Sequence, residues 1–438
     1  MEEIAVILPN ASDESMLEIR RGIELVDMGK LAEAELCFRN SISLQPTLAI
    51  AHNNLGLLKE MTGAFDEALA CYDRALRIDP GLLKAKTNFD KLLHRLMKHF
   101  FHSGDLRTAA LYGERLAQLN RGSKWYARED GGPLIPSEIA SKPKLSLRKL
   151  KHDLEQLQYM QQKGILSSEI GSFIQHYKKV IGRHPELKSG GRRELDAADL
   201  ELIGQLYGRI VHHSNNGRVE RALSSSWDPV SAERLYQHHP LGIVVIDDFL
   251  TQEALLGIRE FCLSSTVWFE NRYGHGRLGA FFRDGFNCPL LIQIAEEIHA
   301  AFPNMIGKKY ALEQLWGFKY DNFQPRTHPH ADFAAINVNF WITPDTANLD
   351  QNSGGLIIYD VKAPADWDFD SYNKKGEKID QYLDQQEANA LIIPYKANRA
   401  VIFNSDLFHA TSSFKFDKQY TSRRINITML YGKRNFAE

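Results

Sequence analysis

Moving Gly22, Gly29, Ala34, Phe38 and Pro46 forward by 34 positions lands on Gly56, Gly63, Ala68, Tyr72 and Pro80. A unit of that length has too little apolar surface to fold alone, so a chain that repeats it must stack the copies. Small residues at fixed places let paired helices approach. Gly29 and Gly63 suit the turn inside each helical hairpin, and the prolines follow the second helix. A degraded third copy shows in Gly104, Ala109 and Leu116, which lie 41 positions beyond Gly63, Ala68 and Ala75. The seven extra residues amount to about two helical turns, added to the first helix of that copy.

This period, with Leu55-Gly56, Ala68, Ala75 and Pro80, resembles the tetratricopeptide consensus over residues 15–121, leaving 1–14 as an N-terminal segment. The resemblance implies an α-helical solenoid whose extended concave surface suits a protein or peptide segment. A stack needs further helices to cover its end. Residues 122–235 read as a mostly helical connector that caps the repeats and braces the C-terminal domain, since Leu147, Leu150, Leu154, Leu157 and Met160 keep helical spacing. Cys37 and Cys71, one repeat apart, are expected to fill the same small core position.

Composition narrows the partners. With 438 residues, 43% hydrophobic and 25% charged, the chain fits a globular protein of two or three domains. Its 53 basic and 55 acidic residues give a net charge of −2, which offers no electrostatic basis for a nucleic-acid partner. The opening Met1-Glu2-Glu3-Ile4-Ala5-Val6-Ile7-Leu8-Pro9 is acidic where a signal peptide is basic, and no later run is long enough to span a membrane. Four cysteines without disulfide or zinc spacing suit a reducing, cytoplasmic setting.

Chemistry concentrates in residues 236–438. Thr327-His328-Pro329-His330-Ala331-Asp332-Phe333 places an imidazole and a carboxylate two residues apart at the mouth of a strand pattern. In an extended backbone residues i and i+2 point to one side, so His330 and Asp332 can reach one ion. His409, at the end of a later apolar run, supplies a third ligand. Two imidazoles and one carboxylate leave three coordination positions open, the arrangement suited to ferrous iron. His328 could replace His330 in a shifted register or act as a proton relay at the mouth. Only His330 has a carboxylate two residues on, which favours it. Asn337, Asn339 and Trp341 alternate with apolar residues and are expected to line the interior. Near the C-terminus, the pattern through Ile425-Asn426-Ile427-Thr428-Met429 puts Arg424, Asn426 and Thr428 on one polar face and turns Arg423 away. A guanidinium inside a barrel calls for an anion, and its fork suits a carboxylate.

Taken in order, Pro240-Leu241-Gly242-Ile243-Val244-Val245-Ile246-Asp247-Asp248-Phe249-Leu250, His330-x-Asp332, Ser353-Gly354-Gly355-Leu356-Ile357-Ile358-Tyr359, His409 and Arg424 resemble the iron(II)- and 2-oxoglutarate-dependent dioxygenases of the prolyl-hydroxylase-like group. The resemblance implies a double-stranded β-helix, jelly-roll or cupin-like, with flanking helices, and hence a multidomain α + β chain. It makes His330, Asp332 and His409 the metal ligands and catalytic centre. It has 2-oxoglutarate anchored by Arg424, with Asn426 and Tyr320 beside it, and dioxygen as the third reactant. Decarboxylation of 2-oxoglutarate to succinate would then be coupled to hydroxylation of a C–H bond. Asn426 stands where many members carry a hydroxyl, and an amide can also donate to a carboxylate. Prolyl 4-hydroxylases usually have lysine at the Arg424 position, so prolyl specificity does not carry over. Asp332 fills the place that halogenating members leave vacant.

Three further readings concern the surroundings. Tyr273-Gly274-His275-Gly276-Arg277-Leu278-Gly279-Ala280-Phe281-Phe282-Arg283-Asp284-Gly285 fits either a glycine-hinged lid or a plain surface loop. Pro364-Ala365-Asp366-Trp367-Asp368-Phe369-Asp370-Ser371-Tyr372 fits a solvated insertion better than a surface for a basic or peptide-like substrate. His212-His213 and His238-His239 read as surface residues. The expected activity is hydroxylation of a protein or peptide recruited by the repeats. The alternatives are a small-molecule hydroxylase whose repeats drive oligomerisation and a non-catalytic scaffold. Nothing in the sequence sets an oligomeric state.

Overall fold

In the computed structural model, which describes residues 14–122 and 143–434 apart from 167, 169, 215 and 273–275, the repeats form three antiparallel helical hairpins. These are α1 (Glu14–Asp27) with α2 (Leu31–Leu44), α3 (Ala49–Met61) with α4 (Phe65–Ile78), and α5 (Leu83–His102) with α6 (Leu106–Arg121). The glycine of each first helix receives the aromatic ring of its partner. A Cβ added at Gly22 would lie 2.6 Å from the Phe38 ring, and one at Gly56 would lie 2.8 Å from that of Tyr72. The turn glycines Gly29, Gly63 and Gly104 adopt φ of 74°, 79° and 81°, a conformation costly for any residue with a Cβ. Helix α5 has 20 residues against 13 in α3, which accounts for the lengthened third period. Cys37 is buried and Cys71 only half-buried at the edge of the same cluster, so the two positions are not equivalent.

The third hairpin is covered by the C-terminal domain. The Phe101 and Phe282 rings meet edge-on at 4.4 Å, and Arg121 pairs with Asp284 at 2.9 Å. One core runs from Tyr72, Phe89 and Leu92 through Phe101 and Leu116 to Trp268, Phe286 and Leu315. Helices α7 (Leu147–Gln162), α8 (Ile170–Arg183) and α9 (Ala197–Ile203) have a separate core of Leu150, Leu157, Ile174, Tyr177 and Ile203. The connector thus braces the barrel more than it caps the repeats: Gln156 Nε2 donates to the carbonyls of Leu263 and Ser265 at 3.0 and 2.9 Å. The chain joins the barrel before α10 (Pro229–His238), where Glu297 accepts from the backbone N–H groups of Ala222 and Leu223.

The barrel comprises β1 (Ile243–Ile246), α11 (Gln252–Ser264), β2 (Arg277–Phe281), α12 (Pro289–Ala301), β3 (Leu312–Tyr320), β4 (Phe323–Gln324), β5 (Ile336–Trp341) and β6 (Leu356–Lys362). It continues through α13 (Phe369–Asn373), α14 (Gly376–Gln385), β7 (Ala390–Ile393), β8 (Ala400–Asn404), β9 (Leu407–Thr411), β10 (Phe414–Lys415) and β11 (Ile425–Tyr431). The large sheet has the order β1-β8-β5-β11-β3-β2 and the small sheet β7-β6-β9, with every pair antiparallel. From β3 onward the chain alternates between the sheets except where β6 is followed by its neighbour β7 in the small one, and His330 bridges to His409 at the edge of that sheet. That path is a double-stranded β-helix. The molecule is therefore a helical tetratricopeptide-like region followed by an antiparallel jelly-roll with flanking helices.

Several surroundings differ from expectation. Arg277–Phe281 is an edge strand of the large sheet, paired with Trp316–Tyr320, and not a lid; Tyr273, Gly274 and His275 lie outside the described residues. In the stretch after β6, Ala365, Asp366, Asp368, Phe369 and Asp370 are exposed, as a solvated insertion would have them, but its last residue Tyr372 is buried with Ile379 and Leu383 on the outer face of the small sheet against Ile357, Tyr359 and Phe408. His212 and His213 are half-buried, and burial pushes the His212 imidazole below its usual range. Among the described residues no helix is long and apolar enough to cross a membrane.

Candidate metal and co-substrate site

Strand alternation builds the first half of the site. Leu356 and Ile358 of β6 face the barrel interior while Ile357 and Tyr359 face the helical layer outside. In β9 the same alternation turns Leu407 and His409 inward and Phe408 and Ala410 outward. His330 and His409 exchange backbone hydrogen bonds at 3.0 and 2.8 Å, which sets their rings side by side with centroids 4.5 Å apart. Ala331 then points outward and Asp332 inward. One donor atom from each of His330, Asp332 and His409 lies within 4.8 Å of the other two, with His409 Nε2 and an Asp332 oxygen 3.5 Å apart.

Neighbouring groups fix which atoms are presented. His409 Nδ1 is 3.0 Å from the Leu407 carbonyl and His330 Nδ1 is 3.3 Å from that of His328. A carbonyl can only accept, so each ring donates to it from a protonated Nδ1, which leaves Nε2 facing the site. Asn337 Nδ2 donates to Asp332 at 2.8 Å and holds the carboxylate in place. Burial, then the nearby His409 ring, pushes the His330 imidazole down to about 4. For Asp332, burial pushes upward, but the hydrogen bond and charge of His409 prevail and hold the carboxyl below its usual range. The set therefore joins a His330 imidazole that burial keeps neutral, an ionised Asp332 carboxylate and the His409 ring beside it. His328 is exposed, packs against Gly376 and lies 3.4 Å from Asp380, outside this set.

The second half lies at the start of β11. Arg424 is 1% exposed, its Nε donates to the Gly354 carbonyl at 2.7 Å, and its Nη1 donates to Asn426 Oδ1 at 3.3 Å. The rings of Tyr320, Phe414, Trp341 and Tyr395 surround the guanidinium at 4.9, 5.4, 5.7 and 5.8 Å. No carboxylate of the described residues pairs with it, and burial pulls its basicity down. Asn426 also donates to Asn339 and Thr428, each at 3.3 Å, so the polar file along β11 meets that of β5. Burial raises the Tyr320 phenol, but Arg277 and Arg424 together outweigh it and hold it below its usual range. Two buried polar atoms of this interior, Asn337 Oδ1 and Trp341 Nε1, have no partner among the described residues, as expected of walls that face a bound group.

The structure thus brings His330, Asp332 and His409 together, and separately Arg424, Asn426 and Tyr320. Sequence reasoning missed Arg277, Tyr395, Phe414 and the Gly354 carbonyl. Arg277 was detectable in principle: Arg277-Leu278-Gly279-Ala280-Phe281 can pair as a strand, which would have placed its first residue beside Tyr320.

Residues 49–82 match the family model of the tetratricopeptide repeat. No curated protein matches the chain. Among solved structures, the first TPR of Spaghetti (RPAP3) bound to an HSP90 peptide is 18% identical, with 24% of this chain and 78% of that one covered at a TM-score of 0.20. The non-heme alpha ketoglutarate dependent epimerase SnoN from nogalamycin biosynthesis is 13% identical, covering 47% of this chain and 84% of that one at 0.34. The carbocyclase SnoK of the same biosynthesis is 12% identical, covering 49% and 87% at 0.33. Likenesses of that size carry no weight; the fold assignment rests on the strand order.

Proposed function

We propose that this chain is an iron(II)- and 2-oxoglutarate-dependent oxygenase that hydroxylates a protein or peptide segment recruited by its helical repeats. The observation that carries the reading is the convergence of two imidazoles and one oriented carboxylate inside a barrel that also buries a guanidinium with no carboxylate of the described residues beside it. His330, Asp332 and His409 would hold the metal on one side and leave three positions open. Arg424 would bind the distal carboxylate of 2-oxoglutarate, with Tyr320 and Asn426 as neighbouring donors. The four rings exclude water from that ion pair and so strengthen it.

When bound, ferrous iron, 2-oxoglutarate and dioxygen supply the oxidation that inserts one oxygen atom into a substrate C–H bond, with succinate and carbon dioxide formed alongside. The chain's own work is positional. Asn337 keeps Asp332 turned inward, the carbonyls of Leu407 and His328 keep both imidazoles in the ligating tautomer, and Gly354 holds the guanidinium at a fixed angle. The continuous core of third hairpin and barrel favours a second reading, in which the repeats serve structure or oligomerisation and the substrate is a small molecule.

Succinate formation from 2-oxoglutarate by purified protein with ferrous iron tests the enzyme. Formation that is lost in Asp332→Ala supports it, and no succinate above that variant leaves a non-catalytic scaffold. Because the third hairpin shares its core with the barrel, deleting the repeats would damage the site. The substrate is better sought with the full chain in a cell extract, where a gain of one oxygen on a protein, and not on a metabolite, supports the peptide reading.

A further inference from the structure

Ala331 lies between two inward-facing ligands and is gripped from outside on both of its backbone polar groups. Its N–H donates to the Tyr372 carbonyl at 2.9 Å, and its carbonyl accepts from Asn373 Nδ2 at 2.8 Å. Both partners come from the end of α13, an element with no part in either sheet. The peptide planes on the two sides of Ala331 carry the Cα atoms of His330 and Asp332. Rotating them swings both ligand side chains at once.

The rest of this short stretch is anchored to the barrel. His330 is tied to His409, Asp332 N–H donates to the Ser405 carbonyl at 3.2 Å, and the Phe333 carbonyl accepts from Arg434 N–H at 2.8 Å. Helix α13 is itself immobilised. The Arg434 guanidinium stacks 4.5 Å from the Tyr372 ring, pairs with Asp406 at 2.8 Å and donates to the carbonyls of Ala363 and Pro364. Tyr372 and Ala331 then share the core beneath α14 with Phe408 and Ile379. A rigid outer clamp on the residue between two ligands narrows the spread of His–Asp geometries before any metal arrives, and a prearranged donor set binds more tightly than one ordered on binding.

We infer that Asn373 is a positioning residue for the metal, acting through the Ala331 carbonyl to set the angle between His330 and Asp332. The inference rests on the proposed reading only in taking His330, Asp332 and His409 as a metal site. It makes the segment between β6 and β7 part of the metal centre without contributing a ligand.

The test uses the full chain and cobalt(II), an air-stable probe whose visible spectrum reports coordination geometry. Asn373→Ala removes the donor, Asn373→Leu removes it while filling the space, and Asp370→Ala alters an exposed residue of the same helix whose one ion pair among the described residues is with Lys374. Cooperative thermal unfolding of the metal-free proteins selects the variants to be read. Expected are a dissociation constant about tenfold weaker and an altered cobalt spectrum in the Asn373 variants, with Asp370→Ala matching the unmodified chain. A folded Asn373 variant with the unmodified chain's constant and spectrum would overturn the inference. An unmodified chain that takes up no cobalt would remove the metal-site reading itself, an outcome distinct from equal binding by all variants.

Discussion

Arg423 and Arg424 are neighbours in sequence, both buried, and set on opposite sides of one barrel wall. On the outer side Arg423 reaches Glu155 of α7 at 2.8 Å and Asp321 at 2.9 Å. Burial works against its charge, but the two carboxylates prevail and hold its basicity above the usual range. On the inner side Arg424 has four aromatic rings, a backbone carbonyl and an amide for company, and burial pulls its basicity down. A buried cation whose counter-ions the fold provides is a fastening. One left without a carboxylate has its desolvation offset only in part by neutral partners until an anion arrives. This contrast separates what joins the connector to the barrel from what the barrel is built to bind.

The largest expected effect is a control on the whole comparison. Asp332→Ala should lower succinate formation by at least about a hundredfold, because removing one of three ligands leaves two imidazoles without charge compensation for the metal. Next, Arg424→Met should weaken 2-oxoglutarate binding by about a hundredfold while leaving unfolding free energy within about 1 kcal/mol, since the lost hydrogen bonds to Gly354 and Asn426 are offset by a relieved buried charge. Calorimetric titration and denaturant unfolding read the two halves. Arg423→Met should do the reverse: stability falls by about 2 kcal/mol, as two half-exposed carboxylates lose their partner, and 2-oxoglutarate affinity stays the same. Should both arginine variants lose affinity alike, the distinction between the two faces fails.

The smallest effect concerns pH. Arg277 and Arg424 favour the Tyr320 phenolate, and a phenolate would repel an incoming carboxylate and occupy the same guanidinium groups. Bound 2-oxoglutarate therefore favours the protonated phenol, so affinity should fall as pH rises through the depressed phenol pKa. Linkage limits the fall to about tenfold per pH unit. Titration of Tyr320→Phe should give a flat profile over the same range, and an unchanged slope in that variant would assign the pH dependence elsewhere.

How much of this was legible varied with the range of the interaction that decides it. His330-x-Asp332 was readable because strand alternation is local, and Arg424 was separated from Arg423 by the same parity. The repeat register was readable because Gly22 and Gly56 must each accommodate a ring one helix away. The destination of the third hairpin was not, since Phe101 meets Phe282 across 181 positions, with no periodic signal linking them. The helical layer over the small sheet, which begins at Tyr372 after an exposed run, went unread, although β6 held the clue. Leu356-Ile357-Ile358-Tyr359 is apolar on both parities, and a strand with two apolar faces must be covered twice. Tyr395 and Phe414 escaped for a different reason: an aromatic box around a cation has no fixed spacing, so only the folded chain reveals its members.

The most direct test of the central claim is anaerobic calorimetric titration of 2-oxoglutarate into the protein with and without ferrous iron. The predicted result is one equivalent bound in the presence of the metal, with little binding in its absence and little by the metal-loaded Arg424→Met variant. Absence of binding to the metal-loaded protein, or equal binding with Arg424 replaced, would contradict the assignment of His330, Asp332, His409 and Arg424 to one site.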